Sequence, residues 1–89
     1  MKIKTINIPK SVTEIDNYAF SNCENLENII FEDDSNLYRI GKKAFSGCSK
    51  LKKINIPNSI IEVGESIFED CDKIDINYYD NAIYFGNEN

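Results

Sequence analysis

IPKSVTEIDNYAFSNCENL (residues 8–26) places its apolar residues at intervals that suit neither a helix nor a strand along its whole length. The same order returns as IPNSIIEVGESIFEDCDKI (residues 56–74), so the stretch is a repeating unit. Three landmarks hold one register: Phe20, Phe45 and Phe68; Cys23, Cys48 and Cys71; Leu26, Leu51 and Ile74. The spacings are 25 and then 23 residues for each set. The middle unit is two residues longer because FEDDSNLYRI (31–40) replaces the IPKSVTEI (8–15) of the first and the IPNSIIEV (56–63) of the third.

One unit reads physically as a coil. In LKKINI (51–56), Ile54 and Ile56 alternate with polar residues, as a half-buried strand requires. Pro57, like Pro9, lacks a backbone donor and ends the strand. NSIIEV (58–63) then carries the chain round a bend with Ile60 and Val63 directed inward. In GKKAFSGC and GESIFEDC the small or apolar residue, the Phe and the Cys fall at i, i+1 and i+4, which predicts one or two turns of helix. Such a coil cannot bury its own apolar side, so coils must stack, aligning their strands into a parallel sheet with Phe over Phe and Cys over Cys.

These residues resemble BspA-type leucine-rich repeats. The family order Leu-x-x-Ile-x-Ile-Pro, then Val or Ile, Ile-Gly, Ala-Phe and Cys-x-x-Leu matches Ile3 to Leu26 and Leu51 to Ile74, and the likeness covers about residues 3–79. The expected fold is an α/β repeat: a short leucine-rich-repeat solenoid of about three to four coils of 23 to 25 residues, with parallel strands on one face and short helical turns on the other. A single domain spans 1–89, with coils at about 3–25, 26–50 and 51–73 and a partial coil or hairpin cap at 74–89. The cap alternative rests on INYYDNAIYFG (76–86), where Asp80-Asn81 suits a tight hairpin; a fourth coil would put Asn77 at an inward strand position. Three departures touch the geometry: Asp16 stands where Gly41 and Gly64 stand, Ile67 where Ala19 and Ala44 stand, and Phe31-Glu32 where the other units have Ile-Pro.

Composition narrows the functions. Eighty-nine residues with 42% hydrophobic and 28% charged content make one globular domain, too small to fold without regular packing. A formal charge of −5 argues against a phosphate-backbone binder, so no nucleic-acid partner is expected. The charge is uneven, +2 through residue 61 and −7 from residue 62 onward. No apolar run reaches the roughly 18 to 20 residues that cross a bilayer, and Met1-Lys2-Ile3-Lys4 opens no signal sequence, so no membrane insertion is expected.

Chemistry has few agents here, and neither enzymatic activity nor a cofactor is expected. With no His, Ser46, Ser49 and Cys48 lack the usual base, and there is no nucleophile elbow or phosphate-binding glycine loop. Three cysteines 25 and 23 residues apart fit neither a zinc clamp nor a complete set of disulfides; core packing accounts for them. Glu32, Asp33 and Asp34 lack the alternating oxygens and glycine of a calcium loop and read as a solvated insertion.

The strand face is the candidate binding surface. Alternation directs Thr5 and Asn7, Asn28 and Ile30, and Lys53 and Asn55 outward, in the rows Asn7–Ile30–Asn55 and Thr5–Asn28–Lys53. Lys4, Glu27, Lys52 and Asp75 flank them with alternating sign. The reading is a non-catalytic protein-binding scaffold. The family resemblance implies more: part of a surface or secreted adhesion protein, whose partner would be an extracellular-matrix or host-cell protein. The alternative is a structural module that self-associates through uncapped solenoid ends.

Overall fold

Two sets of short parallel strands carry the repeat. The computed structural model describes residues 2–77. In chain order its strands are β1 (Thr5–Ile8), β2 (Glu14–Ile15), β3 (Asn28–Phe31), β4 (Arg39–Ile40), β5 (Lys53–Asn55), β6 (Glu62–Val63) and β7 (Asp75–Asn77). The first sheet runs β1-β3-β5-β7 and the second β2-β4-β6, with parallel pairing throughout. Each of the first three coils gives one strand to each sheet and β7 adds a fourth strand to the first, an arrangement that fits a repeat solenoid. The second sheet lies where the sequence predicts only a bend; two residues per strand leave no periodicity to detect.

Alternation in the first sheet works as expected. Ile8, Ile29, Ile54 and Ile56 are buried, while Thr5, Asn7, Ile30, Lys53 and Asn55 are exposed and Asn28 is half-buried. The last strand departs from the expected register. β7 pairs Lys53 with Asp75, Ile54 with Ile76 and Asn55 with Asn77. Asn77 therefore takes the register of an outward residue, not an inward one, and Asp75 aligns with Lys53, not Lys52. A slip of one residue reverses the faces of a strand; here it pairs Ile76, not Asn77, with Ile54. The choice between partial coil and hairpin cap otherwise falls on residues 78–89, outside the described residues.

The expected helical turns are absent: among the described residues there is no helix, and residues 17–22, 42–47 and 65–70 are successive turns. Hydrogen bonding explains why. In a helix all N–H groups point along the helix axis, which in this fold would lie across the stacking direction. Here only alternate N–H groups close a local turn, as in Ala19 to Asp16 O, Ser21 to Tyr18 O and Cys23 to Phe20 O. The N–H groups between them reach the next coil: Tyr18 to Lys42 O (2.9 Å), Phe20 to Ala44 O (2.8 Å) and Asn22 to Ser46 O (2.7 Å). Lys43, Phe45 and Gly47 repeat this toward Glu65, Ile67 and Glu69. The alternation requires left-handed residues, which occur four apart in each coil: Tyr18 and Asn22, Lys43 and Gly47, Ser66 and Asp70. The α component of the expected fold is thus replaced by turns that bond forward.

Stacking then builds the core. The rings of Phe20 and Phe45 lie parallel with centroids 5.6 Å apart, and those of Phe45 and Phe68 are 5.9 Å apart. Leu26, Leu37, Ile40, Leu51, Ile54 and Ile60 fill the space between the sheets and the turns, fully buried. Ile3, aligned with Leu26 and Leu51, is instead exposed. Leu26 and Leu51 each follow a turn closed by their own N–H onto Cys23 O and Cys48 O, and no such turn precedes Ile3 among the described residues.

The three cysteines are free and buried, and two have a polar task as well. The Cys48 thiol donates to Phe20 O at 3.1 Å and the Cys71 thiol to Phe45 O at 3.0 Å, each spanning two coils. Each thiol thus serves a turn carbonyl in the coil before it. Burial pushes the Cys48 thiol up to about 12 and the Cys71 thiol to about 11, and raises that of Cys23.

Phe45→Ala should cost about 3–5 kcal/mol in urea unfolding, and Phe20→Ala, half-buried with one ring neighbour, clearly less; equal costs would refute the stacking account. A thiol reagent at pH 8 should label the cysteines only after denaturation. The thiols' contribution to stability should be complete below about pH 9 and decline as the pH rises toward 11 to 12, because the unfolded thiols ionise first. Cys48→Ala should flatten that decline.

Candidate functional site

The six outward strand residues lie on one sheet face. β1 and β3 place Thr5 opposite Asn28 and Asn7 opposite Ile30, and β3 and β5 place Asn28 opposite Lys53. Ile30 is 50% exposed, an aliphatic side chain standing in water amid polar neighbours. A groove of about 590 Å³ opens beside it, with Asn55 and Pro57 on one side and Glu32, Asp33 and Asp34 on the other. The groove takes in two of the six residues, Ile30 and Asn55; Thr5, Asn7, Asn28 and Lys53 lie outside its lining.

The acidic side of the groove is the two-residue insertion, and its neighbours hold it. Glu32 N–H donates to Ile8 O at 3.0 Å, while the Glu32 carboxylate accepts the Lys10 N–H at 2.7 Å. At the far end the Asn36 N–H and Nδ2 both donate to Lys10 O, and Ser35 Oγ accepts the Leu37 N–H. Asp34 adopts a left-handed conformation (φ 61°), which Asp tolerates better than most residues. The Asp33 and Asp34 carboxylates enter no ion pair among the described residues. The loop therefore presents acid beside an exposed aliphatic group. Among the described residues no three acids, thiols or imidazoles gather as a metal-ligand group.

A different feature marks the second sheet. Glu14, Arg39 and Glu62 lie in register on β2, β4 and β6, and the Arg39 guanidinium meets Glu62 at 3.2 Å and Glu14 at 3.6 Å. Further pairs link coils at Lys42–Glu65, Lys43–Glu69 and Lys52–Glu27. Exposed pairs of this kind contribute little each, about 0–1 kcal/mol, so they help fix register more than they stabilise. Beside this ladder Tyr38 and Ile61 form an exposed apolar pair, joined by the Ile61 N–H to Tyr38 O. A hydrogen bond to Glu14 and partial burial raise the Tyr38 hydroxyl's pKa. Sequence reasoning missed this pair, since its detection depends on knowing that Tyr38 and Ile61 occupy equivalent places in successive coils; the two-residue offset of the insertion conceals it.

Among the described residues the three thiols are buried in the core and Ser46 is buried, its hydroxyl 3.0 Å from that of Ser21, while Ser49 is exposed. No helix among the described residues is long and apolar enough to cross a membrane. No curated protein and no solved structure is matched. The family model described as "BspA type Leucine rich repeat region (6 copies)" matches residues 1–88. Leucine-rich repeats of this type are generally non-enzymatic scaffolds. With nearly its whole length matched and its Phe, Cys and Leu landmarks in one register, the chain belongs to the BspA-type leucine-rich-repeat family.

Proposed function

We propose that this chain is a non-catalytic protein-interaction module that grips its partner through the first sheet's outward face, centred on the groove beside Ile30. The observation that carries this reading is the coincidence of an exposed aliphatic residue, a groove and a pinned loop of unpaired acid in the middle of the sheet. Those features suit a partner segment that brings an apolar side chain for Ile30 and a Lys or Arg for Asp33 and Asp34. The family supports an adhesion-type role in a surface or secreted protein. On that analogy the partner is an extracellular-matrix or host-cell protein.

Self-association through the solenoid ends is the competing use of the molecule. What favours it is that β1 is an edge strand of the first sheet, with one side of its backbone facing away from β3. The two uses differ in what a face mutation does. Replacing Ile30 and Asn55 together by Lys puts two cations in the groove and removes its apolar contact. Capture of a binder found among purified matrix and cell-surface proteins should fall at least tenfold, with the circular-dichroism melt unchanged. Unchanged capture would remove the groove from the binding surface.

A further inference from the structure

We infer that Asp16 is a terminating cap, closing the outer face of the first coil to any further coil in the sheet register. The inference stands on the coil geometry and does not depend on what the strand face binds. In the other two coils a glycine follows the second-sheet strand, Gly41 after β4 and Gly64 after β6. Gly41 and Gly64 have ordinary negative backbone angles, so they are not needed for conformational freedom. They are needed for closeness. A Cβ at Gly41 would lie 2.5 Å from Asn17 N and 2.7 Å from Asp16 C; at Gly64 it would lie 2.3 Å from Lys42 N and 2.6 Å from Lys42 Cα. These are backbone atoms of the preceding coil and cannot swing aside.

Nor can the glycine retreat. Gly41 N–H donates to Ile15 O at 2.7 Å and Gly64 N–H to Ile40 O at 2.8 Å, which ties the same residue to the preceding coil. Asp16 occupies the equivalent place. It follows Ile15 of β2 as Gly41 follows Ile40 of β4, and its carbonyl accepts the Ala19 N–H as that of Gly41 accepts the Ala44 N–H. The left-handed residue comes two positions later in both, at Tyr18 and Lys43. Its Cβ, fixed by the backbone, therefore projects into the space a preceding coil's backbone would fill. That coil would have to stand off by an ångström or so and forfeit its bond to the Asp16 N–H.

The carboxylate adds a second, independent sign. In the second coil the Lys42 N–H is satisfied by the first coil, through Asn17 Oδ1 at 2.9 Å. In the first coil the Asn17 N–H is satisfied from within, by Asp16 Oδ1 at 2.8 Å. Asp16 thus supplies from its own side chain an acceptor that the second coil takes from its neighbour, in the manner of a helix N-cap. The face is closed although it is not wholly polar: Ile6, Val12 and Phe20 are only partly buried there. Whatever meets these residues does so without continuing the coil array.

The experiment is to place a copy of the second coil, residues 26–50, directly before Ile3 of the chain, with and without Asp16→Gly. A coil that stacks on its neighbour raises the unfolding midpoint of a repeat array. The fusion should gain several degrees over the unfused chain only when residue 16 is Gly. An equal result with Asp and with Gly, whether both fusions gain or neither does, overturns the inference. In the unfused chain, Asp16→Gly should speed hydrogen exchange at the Asn17 amide at least several-fold, with exchange in β3 and β5 unchanged. An unaltered Asn17 rate would refute the capping bond.

Discussion

Backbone hydrogen bonds join each coil to the next on every side: in the turns alternate N–H groups donate forward to carbonyls of the next coil, and at the ends of the sheet strands N–H groups of the later coil reach back to carbonyls of the one before. Buried backbone groups must be paired, and in a stack of coils the pairing direction is the stacking direction. A helix on the turn side would have used its donors internally and left the coils joined there by side chains alone. The chain instead takes left-handed residues at two points per coil, bending the backbone so that every second donor faces its neighbour. The thiol bonds follow from the same rule. The turn carbonyls of Phe20 and Phe45 do not face a donor of the next coil's backbone, and the cysteine one repeat on reaches each of them instead.

Coils held by such bonds lie close, and closeness decides which side chains each position accepts. Where two backbones meet at van der Waals distance only glycine fits, as at Gly41 and Gly64. Where they leave room for a flat ring, phenylalanines stack face to face. The central coil bears this most fully: Phe45 and Ala44 are completely buried, whereas Phe20 is half-covered and Ala19 exposed. Burial thus grades from the first coil inward, as a one-dimensional stack requires.

Much of this was legible in the residues. The register of Phe, Cys and Leu gave the coil length, and the alternation in LKKINI gave the first sheet with its outward rows. The turns were misread because Ala-Phe and Cys at i, i+1 and i+4 satisfy helical spacing equally well; the spacing records which side chains point inward, not where the N–H groups point. The second sheet escaped because a two-residue strand has no period. The shift at β7 escaped because Ile74 aligns with Leu51 by residue type, yet Ile54 pairs with Ile76, one residue sooner than the alignment implies. The candidate groove was half legible: Ile30 and the acidic run were each visible, but that they border one depression depends on how the insertion folds back.

The place of that insertion is itself informative. A coil can gain residues only where neither sheet dictates the register, between β3 and β4. The Glu32 N–H to Ile8 O bond marks the end of one constraint, and the Tyr38 N–H to Thr13 O bond the start of the next. Between them the second coil holds two residues more than its neighbours, and it regains their alignment by Leu37, buried like Ile60. Stacking thus leaves few positions free to differ between coils: the outward strand residues and this short segment. Of these, Ile30, Asn55 and the inserted acids border the groove. On the proposed reading, a scaffold whose backbone bonds fix nearly everything else recognises its partner through such variable positions, with Ile30 and the acids beside it at their centre.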